Sequence, residues 1–199
     1  MSSAHAISLG RASHDTATGI PNGKLGICVF LASEVMFFTG LIGTYIVLRM
    51  SNPHWPGHEG HLSVPIGTMN TLVLIGSSVT IVLSLAASNR GAMGPARGWL
   101  ALTILLGSLF LAVKGFEYHA KFSHEIFPKT NIFWSCYFTL TGFHALHVLG
   151  GIIYNLIVLS WTASERLWAD RRHRLELAGL YWHFVDIVWV FLFPLLYLI

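Results

Sequence analysis

The stretch ICVFLASEVMFFTGLIGTYIVL, Ile27 to Leu48, is uncharged at every position but one, and the exception is Glu34 near its middle. About 20 residues of this character cross the hydrocarbon core of a bilayer as a helix. A carboxyl group at that depth costs about 3 kcal/mol on insertion scales, so it is kept for a partner or a task. No basic residue lies within a helical turn of Glu34 along its own chain.

Outward from that stretch, the first span reads as Leu25–Met50 and four more follow: Val64–Ser88, Trp99–Tyr118, Ile132–Trp161 and Leu175–Ile199. Backbone groups in lipid must be satisfied within the segment, and long uninterrupted runs select helices over a closed barrel. The expectation is an all-α polytopic membrane protein, a bundle of five transmembrane helices. Pro65 falls in the first turn of the second span, where its missing N–H does no harm. Short linkers make 24–199 one membrane domain, with 1–23 a polar N-terminal extension that lacks the apolar core of a signal peptide.

Composition agrees. The chain of 199 residues is 54% hydrophobic and 11% charged, whereas soluble domains carry about 25% charged residues. The net charge of +3 is not gathered into a stripe, which argues against nucleic acid. Basic residues fall instead at the ends of the spans. Arg11, Lys24, Arg90, Arg97, Arg166, Arg171, Arg172 and Arg174 lie on one side, and Arg49, Lys121 and Lys129 on the other. The positive-inside rule then places the N-terminus in the cytoplasm and the C-terminus outside. Cys28 and Cys136 fall in opposite leaflets and read as small buried hydrophobes.

Several polar residues sit at depth. In the second span Gly76, Thr80, Ser84 and Ser88 recur every four residues, a stripe that lets a neighbouring helix approach closely. In the third, Lys114, Glu117 and Lys121 share a helical face and read as an interfacial ion pair or triad. The fourth presents Tyr137, Thr141, His144, His147, Gly151 and Asn155 along one side. His144 and His147 have no Cys or carboxylate within a turn, so interface hydrogen bonding is preferred over a metal. In the fifth, Glu176, Gly179, His183 and Asp186 share a face, and a polar intramembrane cluster of His144, His147, Glu176, His183 and Asp186 is expected, with Glu34 within reach. The loop bearing His54, Trp55, Pro56, His58 and His61 reads as interfacial, anchored by Trp55, rather than as a metal site.

These residues carry a resemblance. KLGICVFLASEVMFF (Lys24 to Phe38) resembles the membrane-glutamate helix of subunit III of haem–copper cytochrome oxidases. Trp55-Pro56 with Met69-Asn70-Thr71 and Gly76 to Thr80, then Phe110 to Lys114 with Glu117-Tyr118, are similar to its next helices. FTLTGFHALHV (Phe138 to Val148) and YWHFVDIVW (Tyr181 to Trp189) resemble its last ones. The likeness covers 24–199 and matches the five-span bacterial form, lacking the leading helices of the mitochondrial type.

The resemblance implies a non-catalytic subunit of a proton-pumping terminal oxidase in aerobic electron transport, in the bacterial inner membrane. It implies partners in the catalytic subunit I and in subunit II, which hold the haem and copper, and in membrane lipids, with structural phospholipid a candidate ligand. No cofactor, metal or catalytic residue is expected in this chain, and Glu34 matches the family's carbodiimide-reactive carboxyl. Competing readings are an accessory subunit of a quinol oxidase or nitric oxide reductase system, or a small proton-coupled transporter using Glu34 and Asp186. No internal repeat supports the transporter.

Overall fold

The computed structural model describes residues 22–56, 62–162, 168 and 173–198. The N-terminal extension up to 21 lies outside the described residues, as do His58, His61, Arg166, Arg171 and Arg172. The chain forms α1 (Asn22–Ser51), α2 (Val64–Asn89), α3 (Met93–Ser123), α4 (Ile132–Trp161) and α5 (His173–Phe193), with no strand among the described residues. Among the described residues, five helices are long and apolar enough to cross a membrane.

Helix ends explain where the sequence reading fell short. α3 starts six residues before Trp99 because Pro95 occupies its first turn, where a missing N–H is harmless. It continues past Tyr118 because the charge on Lys121 is carried inward, leaving that residue 4% exposed. At the start of α4 the Asn131 side chain accepts a hydrogen bond from Trp134 N at 2.9 Å, an N-cap. Beyond Phe193 the chain widens into a π-helical turn, Pro194–Leu198.

α2 and α3 form a tight antiparallel hairpin. Gly91 turns the chain with φ of 75°, a left-handed conformation that glycine adopts without a Cβ penalty. Hydroxyls line the contact: Thr80 Oγ1 lies 2.7 Å from Thr103 Oγ1, and Ser84 Oγ donates to Ala96 O at 2.8 Å. Gly76 departs from the expected stripe. Nothing lies within 4 Å of where its Cβ would stand, and Ser77 is the residue turned inward, fully buried.

The fifth helix holds the others together. Trp182 is completely buried and donates from Nε1 to Ser77 Oγ of α2 at 2.9 Å. Its ring needs the glycines of α3 and α4: a Cβ on Gly107 would stand 2.6 Å from it, and one on Gly151 2.8 Å. Two turns later Trp189 donates to Thr71 Oγ1 at 2.9 Å. α1 is peripheral and leans on α4 and α5, through Phe38 against Phe184 and through Tyr45, whose hydroxyl donates to Leu195 O at 3.3 Å. Its outer face, including Met36 and Met50, is exposed.

Candidate functional site

Glu34 is met by a base from another helix. Its Oε2 lies 2.9 Å from Nε2 of His147 on α4. The other ring nitrogen, Nδ1, lies 2.8 Å from the carbonyl of Phe143. A carbonyl only accepts, so Nδ1 carries hydrogen and Nε2 is the nitrogen left to share a proton with Glu34. Whichever atom bears it, the pair holds one proton between them. The Tyr181 hydroxyl donates to the His147 carbonyl at 3.0 Å, and Phe38 packs edge-on against the imidazole at 5.1 Å. Both side chains remain partly accessible, 17% for His147 and 18% for Glu34.

A second polar group closes one end of the bundle, the end carrying the α1–α2 and α3–α4 connections. Glu117 accepts from Lys114 at 2.9 Å, from Lys121 at 2.8 Å, from the Tyr137 hydroxyl at 2.9 Å and from the Tyr197 hydroxyl at 2.7 Å. Lys114 also donates to Tyr197, and its ammonium lies 4.6 Å from the Trp189 ring centroid. The anticipated ion pair of Lys114 and Glu117 is present at that end of the bundle, with both lysines buried among side chains. Cation–π contacts and tyrosine hydroxyls replace the water these charges leave behind. A carboxylate so fully engaged is a structural tie.

The expected cluster of His144, His147, Glu176, His183 and Asp186 is dispersed. His147 serves Glu34. Glu176 takes Lys24 at 2.6 Å near the opposite end, with both side chains about two-fifths exposed. His183 Nδ1 lies 2.6 Å from Ser78 Oγ on α2. His144 is buried between Phe110 and Trp189, stacked on the latter at 5.0 Å, with neither ring nitrogen hydrogen-bonded. Asp186 is buried with neither oxygen hydrogen-bonded. A spacing of three residues turns a helical position by about 60° off its neighbour, enough to send His144 inward and His147 toward α1. They cannot chelate one ion together. Among the described residues no group of three or more His, Cys, Asp or Glu could hold a metal.

Ser78, Trp182, Trp189 and Tyr197 are the functional neighbours that pattern reasoning passed over. The indoles recur seven residues apart, two turns on one face, which is the available signal for the first pair of rings.

Buried ion networks, interhelical hydrogen bonds and long apolar helices define a polytopic helical membrane protein. The family model for cytochrome c oxidase subunit III matches residues 5–199. The chain is 37% identical over 179 residues to cytochrome c oxidase subunit 3 of Corynebacterium diphtheriae, covering 88% of this chain and 87% of that one. It is 38% identical over 178 residues to cytochrome c oxidase subunit 3 of Thermostichus vulcanus, covering 88% and 86%. It is 32% identical over 177 residues to cytochrome bo(3) ubiquinol oxidase subunit 3 of Pseudomonas aeruginosa, covering 89% and 85%. The chain belongs to the cytochrome c oxidase subunit III family.

Proposed function

We propose that this chain is the non-catalytic subunit III of a proton-pumping haem–copper oxidase, packed beside the catalytic subunit I and near subunit II in a bacterial inner membrane. The family match along nearly the whole chain carries this reading. It binds no haem or copper of its own; its task is to keep the catalytic subunit stable through successive turnovers, with proton uptake and oxygen access sustained. Glu34 and His147 supply a proton-sharing pair open to the lipid side. A groove of about 440 Å³ between α1, α4 and α5, lined by Gly23, Gly26, Phe30 and Tyr154 with Arg174 at its end, suits an acyl chain and anionic headgroup of structural phospholipid. The N-terminus lies in the cytoplasm and α5 ends outside.

Cytochrome c is favoured as the electron donor, since several relatives at higher identity carry that name. Purifying the oxidase with and without this chain tests the reading. Haem content and initial oxygen reduction stay intact without it, while activity decays faster over turnover. Loss of haem or copper on removal would refute the accessory role.

A further inference from the structure

The end of the bundle that holds Glu117 carries more positive charge and more donors than its own side chains use. Lys114 and Lys121 both pair with Glu117, and no other carboxylate among the described residues acts on either of them. Two ammonium groups facing one carboxylate leave an excess of one positive charge. An ammonium has three N–H donors. Lys114 donates to Glu117 and to Tyr197, whereas Lys121, with a side chain only 4% exposed, donates to Glu117 alone. The Glu117 oxygens are already occupied by both lysines and by the Tyr137 and Tyr197 hydroxyls. What remains at this end is donors.

Lys121 lines a cavity of about 500 Å³ between the start of α2 and the end of α3, with Ser63, Ile66, Phe116 and His124 around it. The mouth of α2 is unblocked. Ser63 takes the N-cap position without a side-chain cap bond, and no acidic residue stands in the first turn. The N–H groups of that turn therefore keep their attraction for an anion. The facing end of α3 is closed, because the N–H groups of His124, Glu125 and Ile126 turn back onto the carbonyls of Ala120, Phe122 and Lys121.

The walls decide what kind of anion fits. Ser63 and His124 cap their helices, at headgroup level, and Phe116 lies about 12 Å farther along α3 toward hydrocarbon. Ile66 and Phe116 are 52% and 77% exposed. A free inorganic anion would meet the donors and leave this apolar wall uncovered. A zwitterionic phospholipid would bring a further cation to a place that already has an excess.

We propose that the cavity between the start of α2 and the end of α3 binds an anionic phospholipid. Its phosphate takes the spare donors of Lys121, the Ser63 hydroxyl and the first turn of α2, and one acyl chain lies on Ile66 and Phe116. The site is at the opposite end of the bundle from the groove lined by Gly23 and Arg174. It depends on the membrane-spanning fold and not on the oxidase reading.

The test uses the purified native complex containing this chain, with a photo-crosslinkable phenylalanine in place of Phe116. The complex is placed in nanodiscs of phosphatidylglycerol and phosphatidylcholine in equal parts and illuminated, and mass spectrometry of the labelled peptide counts the adducts of each lipid. Phosphatidylglycerol adducts are expected to outnumber phosphatidylcholine adducts about fivefold, the preference that one charge beside a helix terminus confers. In Ser63→Asp the new carboxylate caps α2 itself and supplies the missing counter-charge, so the two lipids are expected to label equally. Equal labelling with Ser63 in place, or adducts to protein instead of lipid, would overturn the site. A preference that survives Ser63→Asp would overturn the placement of the phosphate. The first measurement needs no change of charge, and neither readout uses haem content or activity, so failure of the oxidase reading is scored separately.

Discussion

Glu34 on α1 and His147 on α4, separated by 113 residues in sequence, meet at 2.9 Å and share a single proton, because the other imidazole nitrogen is committed to the Phe143 carbonyl. This contact also fastens the peripheral α1 to the rest of the bundle. An intramembrane carboxyl is thus given both a partner and a proton.

Glu34→Gln should assemble normally, because a glutamine amide can donate to Nε2 where the shared proton stood. His147→Leu leaves the carboxyl unpartnered and loosens α1, by about 1 kcal/mol on the scale of interhelical hydrogen bonds. Thermal melting of the purified complex should show the second variant less stable than the first. Equal melting of the two would remove the hydrogen bond from the account.

A hydrophobic carbodiimide adds to a carboxyl that has a proton at hand and an open approach. Glu34 and Glu117 are similarly accessible, 18% and 14% exposed, but Glu117 is held as a carboxylate by two ammonium groups and two tyrosine hydroxyls, whereas Glu34 has a shared proton beside it. Peptide mass spectrometry should find the adduct on Glu34 and not on Glu117. An adduct first on Glu117 would mean that its network opens readily.

Within that network the loss of the acid should hurt more than the loss of a base. Glu117→Leu leaves Lys114 and Lys121 buried without a counter-charge, a change of about 3–5 kcal/mol for broken buried pairs. Lys121→Met leaves the carboxylate with Lys114, Tyr137 and Tyr197, and should cost less. Membrane yield of the folded chain should fall in that order, and the reverse order would contradict the tie.

Gly107→Ala places a Cβ 2.6 Å from the Trp182 ring, an overpacking of about 1–3 kcal/mol. The smaller ring of Trp182→Phe should recover part of that loss in the double variant, at the expense of the bond to Ser77. Non-additive melting temperatures would register the contact; additive ones would deny it.

Orientation is read with reporter fusions. A reporter placed after Arg90 should be active only as a cytoplasmic probe, and one after Ser123 only as an external probe. The opposite pattern would invert the molecule.

The spans were legible because hydropathy is a one-dimensional signal, and α2 and α4 begin where it placed them. Lys114, Glu117 and Lys121 were legible because helical spacing alone brings them together. The partner of Glu34 was not, since which rings face α1 depends on how α4 is rotated against α5. That rotation is set by Trp182 filling the space over Gly107 and Gly151, a fit of shapes with no periodic trace. His144 and His147 looked equivalent along the chain for the same reason, and the packing sends them to different neighbours.

The chain order of these contacts has a consequence for how the molecule is made. Trp182, Trp189 and Tyr197 all come from the last of the described helices or the π-helical turn after it. They supply the groups that engage Ser77, Thr71 and Glu117. While a ribosome has delivered only the first four helices, those polar atoms stand in the membrane without their final partners. A nascent chain at that stage should be recognised as unfinished by whatever inspects the bilayer for exposed polar groups, and arrival of α5 is the event that ends its vulnerability.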